Sequence, residues 1–221
     1  MAIKLLVLFL ISYLCGSIPS SIWVCKAYFG KDIRKHGSGN AGATNVYRTF
    51  GWKPAIVVAG FDVFKGWLPV AILANLTWFS HGLSARALIL SQMGAGCFAI
   101  CGHVWTVFGG FKGGKGIATA AGMLWALFPI ALPTCLLVFG LTVFITGHVS
   151  LGSILAAMSL PLILLLFDTF NLGHAPTELI GFAVLFFFFV IWTHRTNVKR
   201  LLNGTEQSFR TKKEGTTHDP S

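Results

Sequence analysis

Charge is scarce in this chain. Of its 221 residues only 11% are Asp, Glu, Lys or Arg, and the acids number seven, whereas a soluble domain carries about 25% charged residues. Set against 54% hydrophobic residues, that shortage excludes a soluble fold and argues for an integral membrane protein. No polar stretch is long enough to build a separate soluble domain. Cysteine supplies no framework either. Cys15, Cys25, Cys97, Cys101 and Cys135 lie in or beside apolar segments, and none forms a Cys-x-x-Cys pair, so they read as small apolar residues. No cluster of metal-ligating residues is visible, and neither a metal nor a cofactor is expected. No Ser–His–Asp arrangement can be argued, and no internal repeat is evident. The N-terminus lacks a small-x-small cleavage site after the apolar run Leu5 to Leu14, which makes it an uncleaved first span rather than a signal peptide.

What the chain has is oil, with a basic excess. The net charge is +10. Nucleic-acid binding needs a basic face on a water-exposed fold, and none is available here. The cytoplasmic Lys/Arg excess of a multispanning protein explains the charge instead.

A helix needs about 20 mostly apolar residues to cross the hydrocarbon layer. Candidates are Ile3–Cys25, Lys53–Asn75, Ala85–Phe108, Leu151–Phe167 and Leu179–Trp192. The stretch Ile117–Thr146 is too long for one ordinary span, and Pro129 and Pro133 sit near its middle, where helices break. Split in two, it brings the count to seven. Seven spans place Lys26, Lys31, Arg34, Lys35, Arg48 and Lys53, then Lys112 and Lys115, then Arg195, Lys199, Arg200, Arg210, Lys212 and Lys213 on one side, the cytoplasm. The expected architecture is an all-α integral membrane protein of seven transmembrane helices, with the N-terminus outside and the C-terminus cytoplasmic. A transmembrane domain over 1–200 is followed by a basic cytoplasmic tail, 201–221, whose last dozen residues look disordered.

Two glycine-rich, basic loops interrupt the spans. The first runs from Gly37 to Asn45, with Ser38, Asn40, Thr44 and Asn45 among its donors and Arg48 about one turn further on. The second reads Gly109-Gly110-Phe111-Lys112-Gly113-Gly114-Lys115-Gly116. Glycine lets N–H groups converge on one point, and lysine, arginine and hydroxyls add charge and donors. Such loops suit phosphate, and Arg48 can hold one through a bidentate fork. The second loop nearly matches a nucleotide P-loop, but Gly116 stands where a Ser or Thr would hold Mg²⁺, and a membrane helix precedes it rather than a strand. Bland alternatives weigh against each motif: a flexible topology-setting turn, a polar connection, and a basic stop flank for His194-Arg195-Thr196-Asn197. Asp62 and Lys65, at i and i+3 inside the second span, read as an ion pair bordering a site, with direct chemistry as the alternative. His103, near the inner end of the third span, is a general base or a packing residue.

In order along the chain, Gly16-Ser17-Ile18-Pro19, Gly30 to Arg34, Gly37 to Asn40, Thr44 to Arg48, Asp62 with Lys65-Gly66, Gly102-His103, Phe111 to Gly116, Ser150 to Ile154, His194-Arg195, Asn197, and Gly204-Thr205-Glu206 together resemble the bacterial PlsY family. These are acyl-phosphate:glycerol-3-phosphate acyltransferases. The resemblance implies a seven-span enzyme of the cytoplasmic (inner) membrane, its active site facing the cytoplasm. It would transfer an acyl group from acyl phosphate to the sn-1 hydroxyl of glycerol 3-phosphate, giving lysophosphatidic acid and phosphate, the first committed step of phospholipid synthesis. Expected partners are acyl phosphate, glycerol 3-phosphate, membrane lipid and the acyl-phosphate-forming enzyme. Two positions depart from the family: Thr106 stands where proline is common, and His148 near a usual arginine.

On this resemblance Ser38, Asn40, Thr44, Asn45 and Arg48, with Asn197, are expected to bind the acyl-phosphate phosphate. Lys112, Lys115 and His194, with Gly113 and Gly114 of the same loop, are expected at glycerol 3-phosphate, and Ser150 and Ser153 line the same pocket. The two phosphate sets are open to exchange. His103, Lys115 and His194 are the catalytic candidates, unless the departing phosphate itself accepts the alcohol proton. A transporter of phosphorylated metabolites is the rival class, and a structural membrane subunit the third.

Overall fold

The computed structural model describes residues 1–173 and 175–209, so Arg210, Lys212 and Lys213 lie outside the described residues. The described chain is helical: α1 (Ala2–Gly16), α2 (Ser20–Phe29), α3 (Ala43–Phe50), α4 (Trp52–Ala71), α5 (Thr77–Ser80), α6 (Ala85–Val104), α7 (Ile117–Leu127), α8 (Ala131–Thr146), α9 (Val149–Thr169), α10 (Thr177–Thr193) and α11 (Arg195–Leu202). Among the described residues four stretches are long and apolar enough to cross a membrane: Ala2–Phe29, Trp52–Asn75, Ala85–Gly109 and Val149–Thr169. A fifth is formed if α10 and α11, bent by 67° at His194, count as one.

The apolar stretch 117–146 breaks where its prolines place the break. Phe128 leaves the helical conformation ahead of Pro129, with φ −150° and ψ 72°, and α8 starts two residues after the proline. The first span holds a break absent from the sequence-based expectation. Helix α1 stops at Gly16, and Pro19, which lacks an N–H, starts α2. The carbonyls freed there find donors elsewhere: Thr106 Oγ1 donates to Ser17 O, and Lys65 Nζ to Ile18 O at 2.8 Å. Unsatisfied backbone in a bilayer costs several kcal/mol by order of magnitude, so these two side chains stitch the broken span to its neighbours. Thr106 thereby makes a bond that a proline at the same place lacks the hydroxyl to make.

Helix α4 packs on α7, α1 on α6, and α9 on both α8 and α10. The α4–α7 seam is close because Gly66 meets the backbone of Thr119 and Gly122 that of Val63, leaving no room for a side chain at either glycine. A buried cluster that includes Leu124, Phe128, Leu160, Leu164, Leu179 and Ala183 joins α7, α9 and α10. Large apolar residues such as Leu6, Phe61, Leu137 and Phe188 face outward, as lipid-facing positions do.

Candidate active site

Asn45 organises the first glycine-rich loop. Its side chain is buried at 1% exposure. Its Nδ2 reaches the carbonyls of Ile33, His36 and Asn40 at 3.2, 3.0 and 3.0 Å, and its Oδ1 accepts from Ser38 N at 2.9 Å. The loop thus wraps around one amide. Gly37 is required beside it, because its φ is +58° and a β-carbon there would strike Asn45 Oδ1. Ahead of the loop, Asp32 caps the turn Ile33–Lys35 and holds Arg34 through two carboxylate oxygens. That hydrogen bonding lowers the Asp32 carboxyl to about 2. Arg34 also donates to Gly109 O at 2.6 Å, tying the first loop to the second.

The second loop turns two of its N–H groups inward. Gly113 N donates to Val104 O and Gly114 N to His103 O, each at 3.1 Å, closing the C-terminal end of α6. The amides expected to converge on phosphate are therefore spent on the helix end. Gly113 and Gly114 line a small cavity beside the main one, and Lys112 is exposed, away from both. Lys115 and the uncapped first turn of α7, Gly116 to Ala118, do open on the main cavity.

That cavity measures about 350 Å³. Ser38, Asn40, Thr44 and Arg48 enter from the first loop and α3, and Ser150 and Ser153 from α9. The bent end of α10 and α11 contributes His194 and Asn197. Lys115 Nζ donates to Asn197 Oδ1. Burial lowers the lysine to about 8, with Glu206 opposing and Arg200 and Arg48 adding to the fall. His194 Nδ1 lies 2.9 Å from Val190 O, so the proton sits on Nδ1 and Nε2 is left as an acceptor. Burial, then Lys115, lowers the ring to about 4, so it is neutral at pH 7. Arg48 donates from one terminal nitrogen to Gln207 O at 2.8 Å, and its buried Nε has no partner among the described residues. A phosphate oxygen would satisfy it.

Glu206 has no role in the residue assignments drawn from the sequence, yet it holds the far wall. Its Oε1 accepts from Ser150 Oγ and from Asn197 Nδ2, and its Oε2 from Arg200 Nε, each at 2.7 Å. Residues around it fold back over the site: Phe209 N donates to Gly147 O at 2.6 Å, and Phe209 stacks on Tyr47 at 4.3 Å between ring centres. The signal in the sequence is an acid set among Arg195, Lys199 and Arg200. His148 occupies the position before α9 without capping it through its side chain, and it lies outside the cavity lining. Asp62 pairs with Lys65 at 2.9 Å, and His103 stands 3.5 Å from the same carboxylate oxygen.

At its inner end the cavity turns apolar. Ile117, Ala121, Leu136, Phe139 and Ser153 line both it and a second cavity of about 90 Å³, lined by α7, α8, α9 and α10. A cationic, donor-rich chamber thus runs into an oily one.

Residues 6–204 match the family described as Glycerol-3-phosphate acyltransferase. Among curated relatives of that name, the protein of Pelodictyon phaeoclathratiforme is 39% identical over 92% of this chain and 96% of its own length. That of Chlorobaculum tepidum is 41% identical over 91% and 94%, and that of Salinibacter ruber 40% over 92% and 91%. The crystal structure of PlsY (YgiH), an integral membrane glycerol 3-phosphate acyltransferase, in its glycerol 3-phosphate form superposes with a TM-score of 0.78 at 36% identity, covering 93% of this chain and 95% of that one. Its lysophosphatidic acid form gives 0.75 at 34%, covering 92% and 94%. Sequence and backbone agree over nearly the full length, and the chain belongs to the glycerol-3-phosphate acyltransferase family.

Proposed function

We propose that this chain is a membrane enzyme that moves a fatty acyl group from acyl phosphate to the sn-1 hydroxyl of glycerol 3-phosphate. The observation that carries the proposal is the single cavity in which Arg48, Lys115, His194 and Asn197 meet and which continues into an apolar pocket. Two anionic headgroups and one hydrocarbon chain need such a shape. The membership of glycerol-3-phosphate acyltransferases and the likeness to a glycerol 3-phosphate form of PlsY support the acceptor. The donor is inferred from chemistry. An acyl phosphate is a mixed anhydride, already activated, and asks only for positioning and charge stabilisation.

Arg48, with Ser38, Asn40 and Thr44, takes the phosphate of the acyl phosphate, its free Nε supplying one arm of the fork. Asn45 acts through the loop it builds. Lys115, the first turn of α7, His194 and Asn197 take glycerol 3-phosphate. Ser150 and Ser153 line the wall between. His194 Nε2 accepts from the sn-1 hydroxyl and aims its oxygen at the acyl carbon. A new C–O bond forms there, and the bond from the acyl carbon to the phosphate oxygen breaks. The sn-1 hydroxyl proton passes to His194 Nε2 as the new bond forms, and the phosphate leaves with the electron pair and takes the proton from Nε2, so lysophosphatidic acid and hydrogen phosphate are the products. His103, held between Asp62 and the second loop, is the less suited base.

The protein would sit in the bacterial inner membrane with seven spans, N-terminus outside, C-terminus and active site cytoplasmic. Its transmembrane domain covers 1–200. The tail 201–221 begins with the segment that braces the site. The enzyme that makes the acyl phosphate is the expected neighbour.

Detergent-purified protein should release phosphate from acyl phosphate only when glycerol 3-phosphate is also present. Uptake of a phosphorylated metabolite into sealed vesicles without phosphate release would support the transporter instead.

A further inference from the structure

One buried group of side chains takes no part in the transfer outlined above. Ser20 of α2, Asp62 and Lys65 of α4, and His103 of α6 meet inside the bundle, all at 6% exposure or less, with Asp62 and His103 on the wall of the main cavity and Ser20 and Lys65 behind them. Everything converges on one atom: Asp62 Oδ1 accepts from Ser20 Oγ at 2.6 Å, pairs with Lys65 Nζ at 2.9 Å and faces His103 Nδ1 at 3.5 Å. Lys65 has a structural task at the broken first span, where it donates to Ile18 O. The pair alone would complete that task. The approach of His103 to the same oxygen is extra.

The other side of the His103 ring abuts the second glycine-rich loop. A β-carbon at Gly114 would run into His103 Nε2, and one at Gly113 into the His103 carbonyl. The same carbonyl accepts from Gly114 N at 3.1 Å. Ring and loop are therefore packed without a spare atom between them, and Lys115, the next residue, donates to Asn197. Rotation of the ring would push Gly114 and carry Lys115 with it.

We infer that Asp62, supported by Ser20 and Lys65, is a positioning residue that locks the His103 ring, and that the locked ring holds the second loop in the shape that binds glycerol 3-phosphate. This rests on the assignment of Lys115 to that substrate. The device acts on affinity for one substrate and leaves the chemical step alone.

The test uses paired replacements, because Asp62→Asn alone would leave Lys65 as an unpaired buried charge. Asp62→Leu with Lys65→Met removes the charges together and removes the acceptor facing His103. Asp62→Asn with Lys65→Met removes the charges but keeps an acceptor oxygen. The Leu pair should raise KM for glycerol 3-phosphate by about tenfold, with kcat and KM for acyl phosphate within about threefold of the parent. The Asn pair should restore KM to within about threefold. Where a pair does not fold in detergent, His103→Leu against His103→Gln gives the same contrast from the other partner. Equal KM values for the Leu and Asn variants would overturn the inference, as would a joint rise of both substrates' KM. Lys115→Ala serves as the control. If it raises KM for glycerol 3-phosphate while the Leu pair does not, the positioning role fails and the substrate assignment stands. If it changes nothing, the assignment fails and the inference falls with it.

Discussion

Ser150 and Glu206, 56 residues apart in sequence, are joined by a buried hydrogen bond of 2.7 Å from the serine hydroxyl to the carboxylate. The same carboxylate holds Asn197 and Arg200. Replacing it with an amide, Glu206→Gln, removes the charge and offers an NH₂ to at least one group that is itself a donor. A buried donor left without a partner costs about 1–3 kcal/mol. The thermal midpoint in detergent should fall accordingly, and kcat/KM should drop because Asn197 loses its anchor.

Arg48→Lys keeps a positive charge but loses the fork and the unpartnered Nε. A hydrogen bond to a charged group contributes about 1.5–3 kcal/mol, so kcat/KM for acyl phosphate should fall by roughly 10- to 100-fold. Steady-state kinetics at saturating glycerol 3-phosphate checks this. An unchanged KM for acyl phosphate would remove Arg48 from that phosphate.

Lys115 gives the account a pH signature. With its ammonium lowered to about 8, the free enzyme loses this charge as pH rises through that value. kcat/KM for glycerol 3-phosphate should therefore be flat from about pH 7, above the second ionisation of its phosphate at about 6, to about pH 8 and decline above it. Lys115→Arg, charged throughout, should abolish the decline. Stability moves the other way. From about pH 8 up to the ordinary lysine value of 10.5, the unfolded chain holds more protons on this residue than the folded one, so its contribution to stability rises with pH.

Gly114→Ala should be worse than Gly110→Ala. The first drives a β-carbon into His103, whereas the second meets open space and only strains a φ of +65°. That strain costs about 1–2 kcal/mol. Comparing kcat/KM for glycerol 3-phosphate separates the two, with the larger loss expected at Gly114.

Much of the site is visible in the sequence because polar residues stand out in an oily chain. The clusters around Ser38, Lys115 and His194 could be seen as donors, and Pro129 as a helix break. Their division of labour was not visible. Asn45 is a donor by composition, but three carbonyls and an amide consume its bonding capacity. Gly113 and Gly114 carry N–H groups, but the end of α6 takes them. Which way an amide points depends on the tertiary path, which local pattern does not encode. Glu206 escaped assignment for a similar reason, since its partners lie on α9 and α11. The break at Pro19 was hidden by continuous hydropathy on both sides, and it is tolerated because Thr106 and Lys65 supply the missing donors.

The central claim is that one cavity holds both anionic reactants at the same time. Calorimetric titration of glycerol 3-phosphate into detergent-purified protein saturated with a non-hydrolysable acyl phosphate analogue tests it most directly. The account predicts one glycerol 3-phosphate bound per chain with the analogue still in place, and loss of that binding in Lys115→Ala. Mutual exclusion of the two ligands would contradict it.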